Sequence, residues 1–250
     1  MTHNNDNVLN YWEQPEVESM YDKYLLNAEI ELIKSRITPG SKILDAGCGE
    51  GEGTLEYSRI EGARIHAADF SDTRLKKARE RLGDATNVTL LKIDFTHPFE
   101  LDKDYDIIIS QRFIINLKDW ELQKKVIIEL VSRLKSKGKL LLLEGSKEGV
   151  QELNCFRNVL GLEPIGIKWH NLFLENAQMY SFLNEHHFIV TERDGLGDYF
   201  LMTRGVRPYF DKELSWNHQF NEISSRTELR ELLNLKERFS RLILWVIQKA

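Results

Sequence analysis

Apolar positions recur along this chain in two alternating periods, one helical and one strand-like, and the alternation predicts the fold before any motif is considered. Residues 25–36 read as a helix with Ala28, Ile30, Leu32 and Ile33 on its apolar face, stopping before Thr38-Pro39-Gly40. A short apolar strand at 42–46 runs into a cluster of glycines. A helix at about 52–60, a strand at 64–69, a charged helix capped by Ser71 and running to Leu82, and a strand at 88–93 closing at Asp94 follow in order. Residues 105–110, centred on Ile107 to Ile109, have the apolar character of a parallel strand covered on both faces. A helix over 117–135 repeats apolar residues at Trp120, Val126, Ile127, Leu130, Val131 and Leu134, then breaks at Lys137-Gly138 to release a fifth strand at 139–144. Strands alternating with helices through short connections imply right-handed crossovers and a doubly wound parallel sheet.

The second half is less regular. Residues 175–187 read as a helix, and 188–193 and 241–248 as strands. The roughly 45 residues between those strands are too many for a hairpin, which predicts a helical insertion at about 195–238. Ligands in such folds bind beyond the carboxyl ends of the strands, so this insertion and residues 1–24 are candidate lids.

Composition narrows the class. A chain of 250 residues with 42% hydrophobic and 29% charged residues and only 5 prolines is an ordinary globular protein rather than a collagenous, disordered or disulfide-scaffold chain. Its net charge of −5, with no long basic block, disfavours nucleic acid as a partner. The longest apolar runs, at 107–109 and 140–143, fall far short of the ~20 residues that cross a bilayer, and the polar start has no signal-peptide core, so a cytoplasmic protein with no membrane partner is expected. Cys48 and Cys155 have no CxxC partner, and neither a redox motif nor a metal site is visible.

The decisive segment is Ile43-Leu44-Asp45-Ala46-Gly47-Cys48-Gly49-Glu50-Gly51, a strand ending in an acid and then glycines at every second position. Glycines permit tight turning and close approach of a ligand to the backbone. The dinucleotide fingerprint fails on spacing, because its third glycine would fall on Glu52 or Thr54. A P-loop fails too, since no Lys-Ser or Lys-Thr closes the run, and Glu50 and Glu52 are expected to repel a polyphosphate. Asp45 and the glycines can alternatively be read as a plain helix cap and turn.

The run Asp45-Ala-Gly47-Cys48-Gly49-Glu-Gly51 resembles motif I of class I S-adenosylmethionine-dependent methyltransferases. The resemblance extends over about residues 30–148 and implies an α/β, Rossmann-like seven-stranded mixed sheet with helical lid elements. It implies a single domain over 1–250, with a lid at 1–36, a cofactor-binding core at 37–148 and a substrate side at 149–250. It also implies S-adenosylmethionine as cofactor, with S-adenosylhomocysteine as product. Asp69 at the end of the second strand then corresponds to the acid that takes the ribose hydroxyls, with Phe70 packing on adenine, and Asp94 and Phe95 follow the third strand near the adenine amine. A carboxylate accepts two hydroxyl hydrogen bonds and an aromatic face suits a planar base. Gln111 after the fourth strand, and Tyr11 and Tyr21 from the N-terminal aromatics, complete the expected cofactor contacts. The Gly-Gly turn of the family before the fifth strand is reduced here to Lys137-Gly138.

Methyl transfer is an in-line displacement that demands alignment, and a base only where the nucleophile is protonated. Strands four and five end in Arg112 and Asn116 and in Glu144, which places these residues toward the acceptor. Arg112 is expected to clamp an anion, or else to pair with Glu144 as scaffolding. Arg157 and the Trp169-His170-Asn171 run resemble a subgroup of bacterial enzymes found among surface-polysaccharide genes, and with them His170 becomes the candidate base or, equally, a structural histidine. Arg204, Arg207 and Tyr209 are further candidates for anion contacts, and His218 joins the site only if the insertion folds over it. The expected activity is methylation of an oxygen on a small polar, anionic acceptor such as a sugar, sugar nucleotide or phosphoryl group in capsule or polysaccharide assembly. A small-molecule N-methyltransferase and a non-catalytic cofactor-binding module are the alternatives. Oligomeric state is left open, with a homodimer as one option.

Overall fold

The computed structural model, which describes residues 5–213 and 215–249, brings the strands together in a single sheet. β1 (Lys42–Ala46), β2 (Arg64–Asp69), β3 (Val88–Lys92), β4 (Tyr105–Gln111) and β5 (Leu134–Gly145) are parallel. β6 (Phe188–Gly195) and β7 (Leu242–Lys249) complete the order β3-β2-β1-β4-β5-β7-β6, with β7 antiparallel to both neighbours. The order of strand addition reverses between β1 and β4, which opens a crevice at the carboxyl ends of these parallel strands, where the glycine run begins.

Side-chain alternation along each strand splits the core into two layers. On one face Ile43, Ile65, Ile107, Ile109, Leu141 and Leu143 pack against Leu25, Leu26, Ile30 and Ile33. Those last residues belong to a helix that follows α1 (Asn5–Trp12), namely α2 (Lys23–Lys34), whose first turn is capped by Asp22 accepting from Leu25 N at 3.1 Å. On the other face Leu44, Ile108, Leu140 and Leu142 meet Val126, Ile127, Leu130 and Val131. Fully burying one such side chain is worth roughly 1.5–3 kcal/mol, so each layer strongly resists a one-residue slip of register.

α3 (Glu52–Ser58) and α4 (Asp72–Leu82) connect the first three strands, and the Ser71 hydroxyl caps α4 by accepting from Arg74 N at 3.1 Å. α5 (Trp120–Ser132) begins after a single tight turn at Ile114–Asn116 and ends earlier than the apolar period suggests. β5 starts at Leu134 and carries the Lys137-Gly138 irregularity within it, because Tyr105 pairs with Leu134 and drags the strand start upstream. α6 (Lys147–Val159) has no counterpart among the predicted elements. Only Gly149, Val150 and Leu153 of it are buried, and its N-terminal signal is the Ser146 cap accepting from Gly149 N at 3.1 Å. An added Cβ on Gly149 would lie 1.7 Å from Ser240 O, so this helix is pressed onto the chain just before β7.

α7 (Asn176–Glu185) precedes β6. Between β6 and β7 lie α8 (Gly197–Phe200), a π-helical stretch at Leu201–Val206, α9 (Arg207–Phe210), α10 (Gln219–Ser224) and α11 (Thr227–Leu233). Among the described residues, no helix is long and apolar enough to cross a membrane.

Candidate active site

Asp45, the penultimate residue of β1, is buried and accepts a hydrogen bond from Thr54 Oγ1 at 2.6 Å. Burial pushes its carboxyl up to about 6. The chain then turns sharply, with Gly47 N and Cys48 N both donating to Ala68 O at 2.8 and 3.0 Å. Gly47 sits at φ +75°, and a Cβ there would come within 2.6 Å of Phe113, so only glycine serves. Gly49 at φ +54° is different: an added Cβ would meet nothing nearer than Ser19 Oγ at 3.9 Å, so its backbone faces open space.

Asp69, at the end of β2, holds this turn by accepting from Gly49 N at 2.9 Å and from Ser71 N at 2.9 Å. Its burial raises its pKa despite those bonds. After β3, burial also acts to raise Asp94, but hydrogen bonds from Thr96 and the neighbouring His97 outweigh it and hold the carboxyl below the ordinary range. Asp45, Asp69 and Asp94 thus line one side of a cavity of about 340 Å³ together with Gly47, Cys48, Gly49, Phe70, Phe95 and Gln111. That volume is within the few hundred Å³ typical of small-molecule sites, roughly 300–1,000 Å³.

α1 and the chain after it form the roof. Tyr11 and Tyr21 line the cavity, and Tyr11 stacks on His170 with ring centroids 4.7 Å apart. Trp12 Nε1 donates to Asn116 Oδ1 at 3.2 Å, and Asn171 Nδ2 donates to the same oxygen at 3.1 Å. The Trp12 carbonyl accepts from Arg74 Nε at 3.0 Å, which ties the roof to α4. From the insertion, Phe200, Arg204 and Trp216 reach the far wall.

Residues 43–138 match the family described as "Methyltransferase domain". That stretch of the chain therefore resembles a methyltransferase domain. It is 32% identical over 166 residues to a ubiquinone/menaquinone biosynthesis C-methyltransferase of Shewanella halifaxensis, a match that spans 63% of this chain and 63% of that protein. A demethylmenaquinone methyltransferase of Thermobifida fusca is 29% identical over 184 residues, covering 67% of this chain and 75% of the relative. Among solved structures, magnesium protoporphyrin IX methyltransferase from Synechocystis with bound S-adenosylhomocysteine superposes with a TM-score of 0.57 at 15% identity, covering 98% of this chain and 96% of that one. The N-methyltransferase NodS of Bradyrhizobium japonicum, also with S-adenosylhomocysteine, gives 0.55 at 16% identity over 75% of this chain and 89% of that one. These structures show a shared fold.

The lining of the cavity fits S-adenosylmethionine on chemical grounds. Asp69 and Asp94 present acceptors for hydroxyl and amine donors from adjacent strand ends, and the bare Gly49 backbone leaves the space in which a side chain would otherwise stand. Every residue expected to touch the cofactor, from Tyr11 to Gln111, lines this one cavity. Cys48 also lines it, and the pKa of its thiol is raised first by burial and further by Asp69 and Asp45.

On the acceptor side the structure redistributes the expected roles. Arg112, Asn116, His170 and Asn171 line the cavity. Arg112, however, pairs with the buried Glu29 (Nε to Oε2, 3.0 Å) rather than with Glu144, and Gln111 Nε2 donates to the same Glu29 oxygen at 2.7 Å. Glu144 lies beneath the cavity wall instead of in it. Its carboxylate accepts from Ser110 Oγ (2.7 Å) and from the backbone N–H groups of Phe113 (3.1 Å), Ile114 (3.0 Å) and Ile115 (3.2 Å), leaving nothing for a substrate. Arg157 likewise lies outside the lining, donating to Glu163 O at 2.8 Å and to Arg204 O. Trp169 is half exposed and packs edge-on against Tyr11 at 5.5 Å without lining the cavity.

The insertion residues do not stand ready for an anion as expected. Arg204 is buried against Asp22, Arg207 is buried with Asp211, Ser215 O and Asn221, and Tyr209 is exposed away from the cavity. His218 caps α10 by accepting from Phe220 N at 3.0 Å. Glu50 does not stand as a bare negative charge, because Arg74, Lys77 and Arg81 surround it. Its presence therefore argues less against an anionic ligand than its position in the sequence suggests.

Glu29, Asp22 and Arg241 were not anticipated as parts of the site. Glu29 carried a legible signal, an acid at a core-facing position of α2 among Leu25, Leu26, Ile30 and Ile33. Asp22 was legible only as a helix cap.

Proposed function

We propose that the protein transfers a methyl group from S-adenosylmethionine to a hydroxyl oxygen of a small acceptor that carries a negative charge. The reading is carried by one observation: the glycine turn, the acid-ended strands and His170 all face a single roofed cavity. When bound, S-adenosylmethionine supplies an electrophilic methyl on sulfur. The chain's own residues do the rest. Asp45, Asp69 and Asp94 hold and orient from one side, while α1 and the insertion exclude water from the other, converting the reaction into an aligned in-line displacement. His170, oriented by the Tyr11 stack, receives the hydroxyl proton as the oxygen attacks the methyl and the carbon–sulfur bond breaks.

The relatives named above favour a second reading, carbon methylation of a hydroxylated aromatic ring in quinone biosynthesis, which needs the same proton removed. The polysaccharide setting finds no support among them. The family match ends at residue 138, ahead of His170, Asn171 and the insertion, so part of the acceptor side lies outside the matched stretch.

Isotope-labelled methyl transfer to sugar nucleotides, phosphorylated nucleotides, hydroxylated aromatic acids, demethylmenaquinol and small amines, followed by mass spectrometry and NMR of the products, tests this. Label on oxygen supports the first reading and label on ring carbon the second. Label on nitrogen alone overturns both, and tight S-adenosylhomocysteine binding with no product across the panel marks a binding module.

A further inference from the structure

Most arginines that line the cavity are neutralised by the protein itself. Arg74 pairs with Glu50, Arg112 with Glu29 and Arg204 with Asp22. Arg241 stands apart. It immediately precedes β7, where its backbone carbonyl accepts from Ser146 N at 2.9 Å. Its guanidinium lies 5.9 Å from the Phe173 ring centroid and, among the described residues, donates only through Nη2, to Gly166 O at 3.3 Å. Its Nε is enclosed without a hydrogen-bond partner, and among the described residues no carboxylate oxygen lies within 4.0 Å of it. Burial, and then the nearby charge of Arg204, pull its pKa down to about 10. A partly buried cation with no counterion gains from an anion that arrives to meet it.

Position says which ligand would bring that anion. Gly145 of β5 is in register with Leu242, so Arg241 stands at the carboxyl-end rim of the sheet, four strands from β2 and Asp69. At ~4.8 Å per strand this is about 19 Å along the rim, on the side of Phe173, Lys168 and His170. We propose that Arg241 binds an oxyanion of the acceptor, a carboxylate or phosphoryl group, through the terminal Nη groups of its guanidinium. This deepens the methyltransferase reading of the cavity and rests on it. A guanidinium edge offers two parallel donors to such a group, which lysine does not. Arg241 thereby fixes one end of the acceptor while His170 meets the reacting hydroxyl.

Wild type, Arg241→Gln, Arg241→Lys and the exposed control Arg59→Gln are compared. S-adenosylhomocysteine affinity is measured by calorimetry, and inorganic phosphate and acetate are then titrated into the saturated complex, followed by calorimetry and thermal melting. Saturable binding of phosphate or of acetate to wild type is expected, the tighter arm identifying the group. That affinity falls at least tenfold in Arg241→Gln, falls less in Arg241→Lys and holds in Arg59→Gln, while S-adenosylhomocysteine affinity stays within twofold throughout. Without anion, Arg241→Gln melts at or above the wild-type temperature, because an uncompensated charge has gone. The proposal is overturned if neither anion binds wild type, if Arg241→Gln keeps the affinity, if Arg241→Gln weakens S-adenosylhomocysteine, or if it melts well below wild type. Failure of wild type to bind S-adenosylhomocysteine overturns the underlying reading of the cavity instead.

Discussion

Glu144→Gln separates a carboxylate that holds the cavity wall from one that acts on the acceptor. Four donors converge on Glu144: Ser110 Oγ, Phe113 N and Ile114 N on Oε1, and Ile115 N on Oε2. A glutamine keeping its oxygen at the Oε1 position places its NH₂ against Ile115 N–H, stranding one buried donor at roughly 1–3 kcal/mol. Glu144→Ala strands all four and removes a large share of a stability of about 5–15 kcal/mol, so glutamine is the informative change. Burial pushes the Glu144 carboxyl up from 4.5 to about 7, against the pull of its hydrogen bonds. The folded state therefore holds the proton after the unfolded chain has lost it. Wild-type stability from this group is full below pH 4.5 and is lost as pH rises toward 7, a fall that Glu144→Gln lacks. Urea denaturation at pH 5 and pH 8 checks both points: the variant is less stable, and the gap narrows toward pH 8. Wild-type stability in Glu144→Gln at both pH values, combined with loss of methyl transfer and intact S-adenosylhomocysteine binding, would refute the scaffolding role.

Other changes probe the opposite wall and the roof. Asp69→Ala removes the acceptor for Gly49 N and Ser71 N and one side of the cofactor cradle, and calorimetry is expected to show S-adenosylhomocysteine binding at least tenfold weaker. Gly47→Ala forces a Cβ to within 2.6 Å of Phe113 at a positive φ, and a loss of roughly 1–3 kcal/mol is expected by denaturant titration. Asp45 is pushed up to about 6, so affinity for the cationic S-adenosylmethionine should rise with pH through that value as the carboxylate forms, and Asp45→Asn should bind it with a flat pH profile. His170→Gln should lower kcat by roughly 10²–10⁴-fold and flatten the acid limb of the pH–rate profile, whereas a purely structural histidine would leave that limb in place.

The half of the chain that binds the cofactor was legible because its information is local. Glycine spacing after β1, an acid at the end of β2 and another just after β3, and apolar runs of strand length are each set by neighbouring residues, and the strand alternation then leaves few topologies open. α6, by contrast, was not among the predicted elements although Ser146 caps it. The acceptor side was decided elsewhere. Which carboxylate neutralises Arg112, Arg204 or Arg241 depends on where distant segments come to rest: Glu29 from α2, Asp22 from the turn before it, and for Arg241 none among the described residues. An arginine looks the same in sequence whether it is spent on a buried partner or held for a ligand. Only the tertiary structure distinguishes these cases, because a charge acquires its meaning from the partners and the solvent that folding leaves around it.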